Sequence, residues 1–346
     1  MSGKLTPDDL ARYVFARTGA PDDRVRVGPS FGEDAAAIDL DAGTLVVSTD
    51  PISLAADRIG TLAMNVSAND VAASGGVPSF VTSTILLPAL DPDLVESITD
   101  QLDREATRLG IAIVGGHTEA VPALERPLLS LTCLGPADRY VPTGGAEVGD
   151  RILLTKGAGI EATAVLATDF RGEIEAAGVT DPTVFDRAES FFGDLSVMPE
   201  SAVLSPDATA MHDPTEGGVV AGLVELARAS GVVLDVDRAA VPVREETRLL
   251  CDAVGVDPLR VLGSGALAAT VPADDADWVL AALREEGIEA GEVGRVRAPV
   301  DERTGGANDA VAGGDGTDTL SDEAGLLLDD EFVTEVPRDG MYRLWD

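Results

Sequence analysis

The sequence predicts a two-domain α/β protein, of the kind that mixes parallel and antiparallel strands with helices, and three observations predict it. The chain has 346 residues, room for about two domains at roughly 150 residues each. Apolar runs of strand length alternate with segments of helical periodicity through most of it. A turn-rich link, VPTGGAEVGD at residues 141–150, interrupts that alternation near the middle. The expected division is therefore 1–147, 148–300, a Gly- and Asp-rich loop over 301–325 and a tail over 326–346.

Residues 7–18 predict a helix, followed by a Gly/Pro/Asp-rich stretch to Asp34 and by two strands, AAAID and TLVVSTD. From Asp57 to Ser74 the apolar positions Ile59, Leu62, Ala63, Val66 and Ala73 recur at helical spacing, and Pro78 blocks any continuation. FVTSTILLP predicts a strand, Pro92 to Leu109 an amphipathic helix, and IAIVGG and PLLSLTCLG two more strands. Beyond the link, RILLTKG, VVLDVD, ALAATV and EVGRVRAP predict strands. Helices are expected over 160–168, 182–194, 216–230, 244–254 and 274–286. Residues 301–325 have too few apolar side chains to offset the entropy of ordering them, so a mobile loop is expected there.

Composition excludes several function classes. A net charge of −36, from 61 acidic and 25 basic residues, opposes binding to nucleic acid or to an anionic membrane surface. No apolar run approaches the roughly 18 residues that span a bilayer, and MSGKLTPDDLARYVF lacks a signal-type apolar stretch, so a cytoplasmic location is expected. The acidity is spread along the chain, and lysine occurs only at Lys4 and Lys156. This is the pattern of a surface adapted to high salt, where a Debye length of about 3 Å at 1 M screens self-repulsion. Cys133 and Cys251 both sit in apolar patterns and offer neither a disulfide framework nor a metal spacing.

Four acidic segments lie beside small residues at the ends of expected elements: GEDAAAID (32–39), STDP (48–51), NVSANDVAASGGVP (65–78) and VGGHTEAVP (114–122). On the helix that starts near Asp57, positions 59, 63, 66 and 70 share one face, which puts Asp70 on the apolar stripe. A carboxylate there needs a cation or several donors. If Asp34, Asp50 and Asp70 converge, each like-charge pair near 4 Å repels by about 4 kcal/mol at an effective dielectric of about 20. A divalent metal resolves the conflict, and all-oxygen ligands favour Mg²⁺ over zinc. The plainer alternative for any one of these acids is a helix cap or a turn.

Glycine turns add anion-binding capacity. In TKGAGIEATAVLA a strand passes through Lys156 into small residues and a helix, which would aim Lys156 and backbone N–H groups at an anion. In MHDPTEGGVVAGLVELARAS, Asp213 and Thr215 precede Gly217 and Gly218 at a helix start; capping and tight packing compete there with a functional role. Both histidines, His117 and His212, lie in such turns and are candidates for substrate contact or acid–base work.

In this order, GEDAAAID, STDP, NDVAASGGVP, VGGHTEAVP, VGDRILLTKGAG and MHDPTEGG resemble the aminoimidazole ribonucleotide synthetase (PurM-like) superfamily, collinearly over residues 28–297. DPTEGG followed by VVAGLVELARASG is most similar to its HypE branch. The resemblance implies an N-terminal domain whose sheet pairs with that of a second subunit in a homodimer, and a C-terminal domain with a ferredoxin-like core. It implies binding of ATP with Mg²⁺ and activation of an oxygen of a small-molecule or carrier-bound substrate by phosphoryl transfer, in hydrogenase or metallocofactor maturation. A thiamine-monophosphate kinase-like activity is the alternative within the superfamily, and a non-catalytic ATP-binding scaffold the alternative outside enzymology.

By resemblance, Asp34, Asp50, Asp70 and Glu119 would hold the metal. Asp34, Asp50, Asn69, Asp70, Gly115, Gly116, Thr118, Gly217 and Gly218 would surround the nucleotide. Asp213, Thr215, His117 and Lys156 would act on the transferred group. Relatives of the HypE branch carry a cysteine in a C-terminal tail, whereas VPRDGMYRLWD has none.

Overall fold

A computed structural model describes residues 7–15, 17–53, 57–299 and 324–345. The expected loop over 301–325 therefore falls almost wholly outside the described residues. At the start, α1 (Pro7–Leu10) runs into π-helical residues Ala11–Phe15, a shorter helix than the one expected over 7–18.

The first sheet contains β1 (Val25–Val27), β2 (Ala36–Leu40), β3 (Gly43–Ile52), β4 (Phe80–Leu87), β5 (Ala112–Ala120) and β6 (Leu128–Ala137), in the order β1-β2-β3-β6-β4-β5. All neighbours are antiparallel except β4 and β5, which are parallel and put β5 at the edge. Two helices, α2 (Ile59–Ala73) and α3 (Pro92–Leu109), cover one face. The start of α3 follows from local chemistry: Asp91 accepts from the Asp93 N–H at 3.1 Å and Pro92 sits in the first turn. Its end follows from Gly110, left-handed at φ +73. At Gly60 a Cβ would lie 2.8 Å from both Ile98 O and Gln101 Cβ, so glycine there sets how closely α2 approaches α3.

Sequence periodicity gives α2 one apolar stripe, but every residue of it is buried. The helix is enclosed by the first sheet, α3 and the second domain. On the opposite face of the sheet no helix packs among the described residues: Leu45, Val47, Leu128 and Leu134 are half-buried and Phe80 is exposed, while the alternate residues Val46, Val81, Leu129, Leu131 and Cys133 fill the core.

The second sheet is built from β7 (Arg151–Thr155), β8 (Ala210–His212), β9 (Val233–Val236), β10 (Ala268–Val271), β11 (Ala290–Arg297), β12 (Gly325–Leu328) and β13 (Glu331–Val333). The order is β13-β12-β9-β11-β7-β10-β8. Its helices are α4 (Ile160–Thr168), α5 (Arg171–Ala176), α6 (Pro182–Glu189), α7 (Met198–Leu204), α8 (Gly218–Ser230), α9 (Glu245–Val254) and α10 (Ala276–Glu285). One core lies between this sheet and α8, through Val220, Leu223, Leu226, Leu234 and Leu326.

The segment read as a loop end and tail is part of this domain. Strand β12 pairs parallel with β9, Leu326 and Leu328 enter the core, and Met341 and Tyr342 are buried further on. Its short apolar run, GLLL, forms a strand because β9 offers an open edge far away in sequence.

Candidate functional site

Four carboxylates meet where the two domains touch. Asp34 precedes β2, Asp50 is near the end of β3, Asp70 is in the last turn of α2, and Asp213 follows β8. Asp70 is buried and accepts a hydrogen bond from the Ser48 hydroxyl. Burial pushes its carboxyl well above the usual carboxylate range, and Asp50, Asp213 and Asp34 push it further. Asp213 is 1 % exposed, and neither of its carboxylate oxygens has a hydrogen-bond partner on another residue. It too is raised, by burial first and then by Asp34, with His212 opposing.

Asp34 is held from both domains. Its Oδ1 lies 2.6 Å from His212 Nδ1, and its Oδ2 accepts from the Thr143 hydroxyl at 3.3 Å. The other ring nitrogen of His212 lies 3.1 Å from Glu225 Oε2. Burial alone would lower the His212 pKa, but the two carboxylates outweigh it and raise the pKa well above the ordinary imidazole value. His212 is thus buried between Asp34 and Glu225, not exposed in an open turn. Neighbouring Glu33 fixes the same loop by accepting from Tyr140 Oη at 2.8 Å and from the Thr143 and Gly144 N–H groups at 3.3 Å.

A divalent cation fits this donor set. The carboxylate of Asp213 is buried and orphaned, and Asp34 and Asp50 beside it raise its pKa further, which is the condition a cation relieves. Among the described residues no three His, Cys, Asp or Glu side chains form a ready set of ligands around one point. Mg²⁺ does not require such a cage, since it keeps several waters and commonly takes one or two carboxylates with phosphate oxygens.

Apart from Thr215, the structure does not bring the remaining sequence-predicted residues to this cluster. Gly115, Gly116, His117, Thr118 and Glu119 lie on the exposed edge strand β5 and not in a loop. There the run GGHTE pairs in parallel with Thr82–Leu86 of β4. His117 Nε2 is 3.5 Å from Glu119 Oε2, and both side chains face solvent, so Glu119 does not join the metal set. A Cβ on Gly116 would lie 2.1 Å from Ser83 O, so this glycine is required by strand packing. Asn69 spends its amide on the second domain, donating to Leu195 O at 2.8 Å and accepting from the Val197 N–H at 2.9 Å.

Lys156 is likewise committed elsewhere. Its Nζ lies 2.7 Å from Glu200 Oε1 and donates to the Asp194 and Ser196 carbonyls, each at 2.7 Å. Nor is the loop around it an anion cradle: the N–H groups of Lys156, Ala158, Glu161 and Ala162 donate to the carbonyls of Glu289, Pro242, Ser264 and Leu262. At the start of α8, the Gly217 N–H donates to Asp339 Oδ2 at 2.7 Å and the Gly218 N–H to Thr215 O at 3.1 Å. Gly218, left-handed at φ +65, has no room for a Cβ, which would sit 2.5 Å from Val261 O. Packing therefore explains both glycines.

Thr215 does reach the cluster. With Asp50 it borders a slot of about 210 Å³ that continues to Glu161, Glu216 and Trp345. Sequence reasoning passed over Ser48, Glu33, Glu225, Glu161 and Trp345. For Glu161 a signal was present: it is the one charge in the small, apolar helix IEATAVLAT, as anomalous there as Asp70 is in α2.

Against known proteins, residues 32–137 match the N-terminal domain of AIR synthase related proteins and residues 147–304 match the C-terminal domain. The hydrogenase expression/formation protein HupE of Azotobacter chroococcum is 32% identical over 77% of this chain and 79% of its own length. The carbamoyl dehydratase HypE of Cupriavidus necator is 31% identical over 77% of each chain. A solved hydrogenase maturation protein HypE in complex with ATP superposes with a TM-score of 0.60 at 28% identity, covering 86% of this chain and 88% of its own.

Proposed function

Because the chain belongs to the AIR synthase related family, we propose that it is an enzyme that uses Mg-ATP to activate an oxygen of a small or carrier-bound substrate by phosphoryl transfer, in hydrogenase or metallocofactor maturation. The observation that carries this reading is the convergence of Asp34, Asp50, Asp70 and Asp213, with Asp213 buried and unpartnered. Relatives named carbamoyl dehydratase and a HypE solved with ATP support the same chemistry.

One or two of Asp34, Asp50, Asp70 and Asp213 would hold the cation, with the others in its surroundings, and the cation would supply charge neutralisation on the phosphate oxygens. The protein's own part is placement. Ser48 orients Asp70, while His212 and Thr143 orient Asp34, so these carboxylates are fixed before ligand arrives. Thr215 lines the slot, where the acceptor oxygen would lie. No protein nucleophile is required, and burial pushes the pKa of the Cys133 and Cys251 thiols up to about 12.

A homodimer belongs to the same reading. The uncovered face of the first sheet and its exposed edge β5 offer a second copy an apolar surface and open backbone groups.

Calorimetric titration with a non-hydrolysable ATP analogue in molar salt, with and without Mg²⁺, tests the nucleotide reading. Metal-dependent binding that Asp70→Asn weakens by at least about tenfold, roughly the 1.4 kcal/mol of one lost charge contact, is the expected outcome. Equal affinity for mutant and wild type in both conditions overturns it. A steady-state phosphate-release assay then separates an enzyme from a protein that holds ATP without turning it over.

A further inference from the structure

Two buried asparagines on α2 hold different partners. Asn65 spends its side chain inside the first domain, donating to Thr61 O at 2.8 Å and accepting from Arg108 Nη2 of α3 at 3.0 Å. Asn69, one turn further on, spends its side chain on the second domain and stands immediately before Asp70. We propose that Asn69 is a positioning residue: by pairing with the backbone of Leu195 and Val197 it sets Asp70 in register with Asp213, so that the acids of the two domains face one divalent cation. The proposal rests on the reading above, because it says how the cation site of that reading is assembled.

The origin of the acids is the first argument. Asp34, Asp50 and Asp70 belong to the first domain, whereas Asp213 follows β8 of the second. Asp213 is nevertheless among the charges that push the Asp70 carboxyl up. A site shared by two bodies is only as exact as their registration, and a binding constellation must be held within about 0.5 Å of its working geometry. A tie between the domains at the residue next to Asp70 supplies that registration.

The geometry of the tie is the second argument. Asn69 Nδ2 donates to Leu195 O at 2.8 Å, and its Oδ1 accepts from the Val197 N–H at 2.9 Å. Two bonds to one short stretch of backbone fix the rotation of the helix as well as its distance. That stretch cannot simply follow the helix, because the Leu195 and Val197 side chains are wholly buried in separate apolar clusters of the second domain. Asp70 projects about 100° further round α2, where it meets the Ser48 hydroxyl. Rotating the last turn of α2 would break the Asn69 pair, so the pair sets the angle at which Asp70 enters the site.

A second tie from the same domain is the third argument. The Ser201 hydroxyl of α7 donates to Ala72 O, in the same turn of α2. Asp70 thus lies between two residues, Asn69 and Ala72, that the second domain holds directly.

Metal binding without nucleotide tests the proposal. Mn²⁺, which takes oxygen ligands as Mg²⁺ does, is titrated into the full chain in molar salt, and electron paramagnetic resonance reads the free ion. Asp213→Asn, which lacks one acid of the cluster, gives the background from the acidic surface. Against that background Asn69→Ala should bind Mn²⁺ at least about tenfold more weakly than wild type, and Ser201→Ala about threefold more weakly. Asn65→Ala removes an equally buried amide from the same helix but no contact with the second domain, so its Mn²⁺ affinity should stay within about twofold of wild type even though its melting temperature falls.

Saturable binding by wild type with Asn69→Ala no weaker than Asn65→Ala overturns the proposal and leaves the cation site standing. If Asn69→Ala does not fold, Ser201→Ala decides, and an affinity equal to that of Asn65→Ala overturns the proposal. Wild type that takes up no more Mn²⁺ than Asp213→Asn overturns the cation site and the proposal with it. Calorimetry with the ATP analogue tests the parent reading separately: wild type that binds Mn²⁺ but not the analogue overturns the nucleotide assignment and not the role of Asn69.

Discussion

Lys156→Met separates a structural lysine from a phosphate-binding one. In the structure Lys156 is 10% exposed and Glu200 3%, with Nζ and Oε1 2.7 Å apart. The second oxygen, Glu200 Oε2, has no other partner. Removing the lysine leaves a buried carboxylate uncompensated, a change that costs about 3–5 kcal/mol, and it also strips a donor from the Asp194 and Ser196 carbonyls. With roughly 2–4 °C per kcal/mol for a domain of this size, the second domain's melting transition should fall by about 10 °C. Differential scanning calorimetry in molar salt reads the shift, and titration of the still-folded variant at low temperature reads its affinity for the Mg-bound ATP analogue. Affinity should be unchanged within about twofold. Lys156→Met/Glu200→Leu should recover most of the lost stability, because replacing both partners of a buried pair with apolar residues removes the orphaned charge. Unchanged stability combined with lost nucleotide affinity would refute the reasoning and return Lys156 to the phosphate.

Other outcomes follow from the same geometry. Burial raises the Asp339 carboxyl to about 6, above its unfolded value, so its contribution to stability is present below about pH 4 and is lost as pH rises through 6. Urea midpoints of wild type and Asp339→Asn should therefore shift in the mutant's favour between pH 4.5 and pH 7, and parallel curves would contradict the assigned burial. Phe80→Lys places a charge on the face proposed for the homodimer, so light scattering should report a dimer for wild type and a monomer for the variant; a dimer in both moves the interface elsewhere, and a monomeric wild type removes the dimer. Iodoacetamide should leave Cys133 and Cys251 of the native protein unmodified, since both thiols are buried with pKa values near 12, and mass spectrometry showing rapid labelling without unfolding would contradict their burial.

What the sequence carried was whatever depended on neighbours in the chain. The helix Pro92–Leu109 was legible to the residue because Asp91, Pro92 and Gly110 set both of its ends locally. The anomaly of Asp70 was legible because a charge on an apolar stripe needs a reason, and the structure places Asp34, Asp50 and Asp213 around it. What failed depended on distant partners. TKGAG looks like an anion cradle until the carbonyls of Pro242, Leu262, Ser264 and Glu289 occupy its N–H groups. GGHTE looks like a loop until β4 extends it as a strand. The Trp345 slot joins residues from positions 50, 161, 215 and 345, and no local pattern announces that meeting.

The contacts between the domains bear on how the enzyme can move. Asn69 grips the chain at Leu195 and Val197, Asp34 grips His212, and the Arg139 guanidinium grips Ala208 O at 2.8 Å, all across the same seam. Swinging the halves apart would break the buried contacts of Asn69 and Asp34 and the part-buried contact of Arg139 together. Hinge bending is therefore disfavoured as a route for ligands. If they pass through the slot itself, turnover should depend little on solvent viscosity and strongly on the side chains that line it.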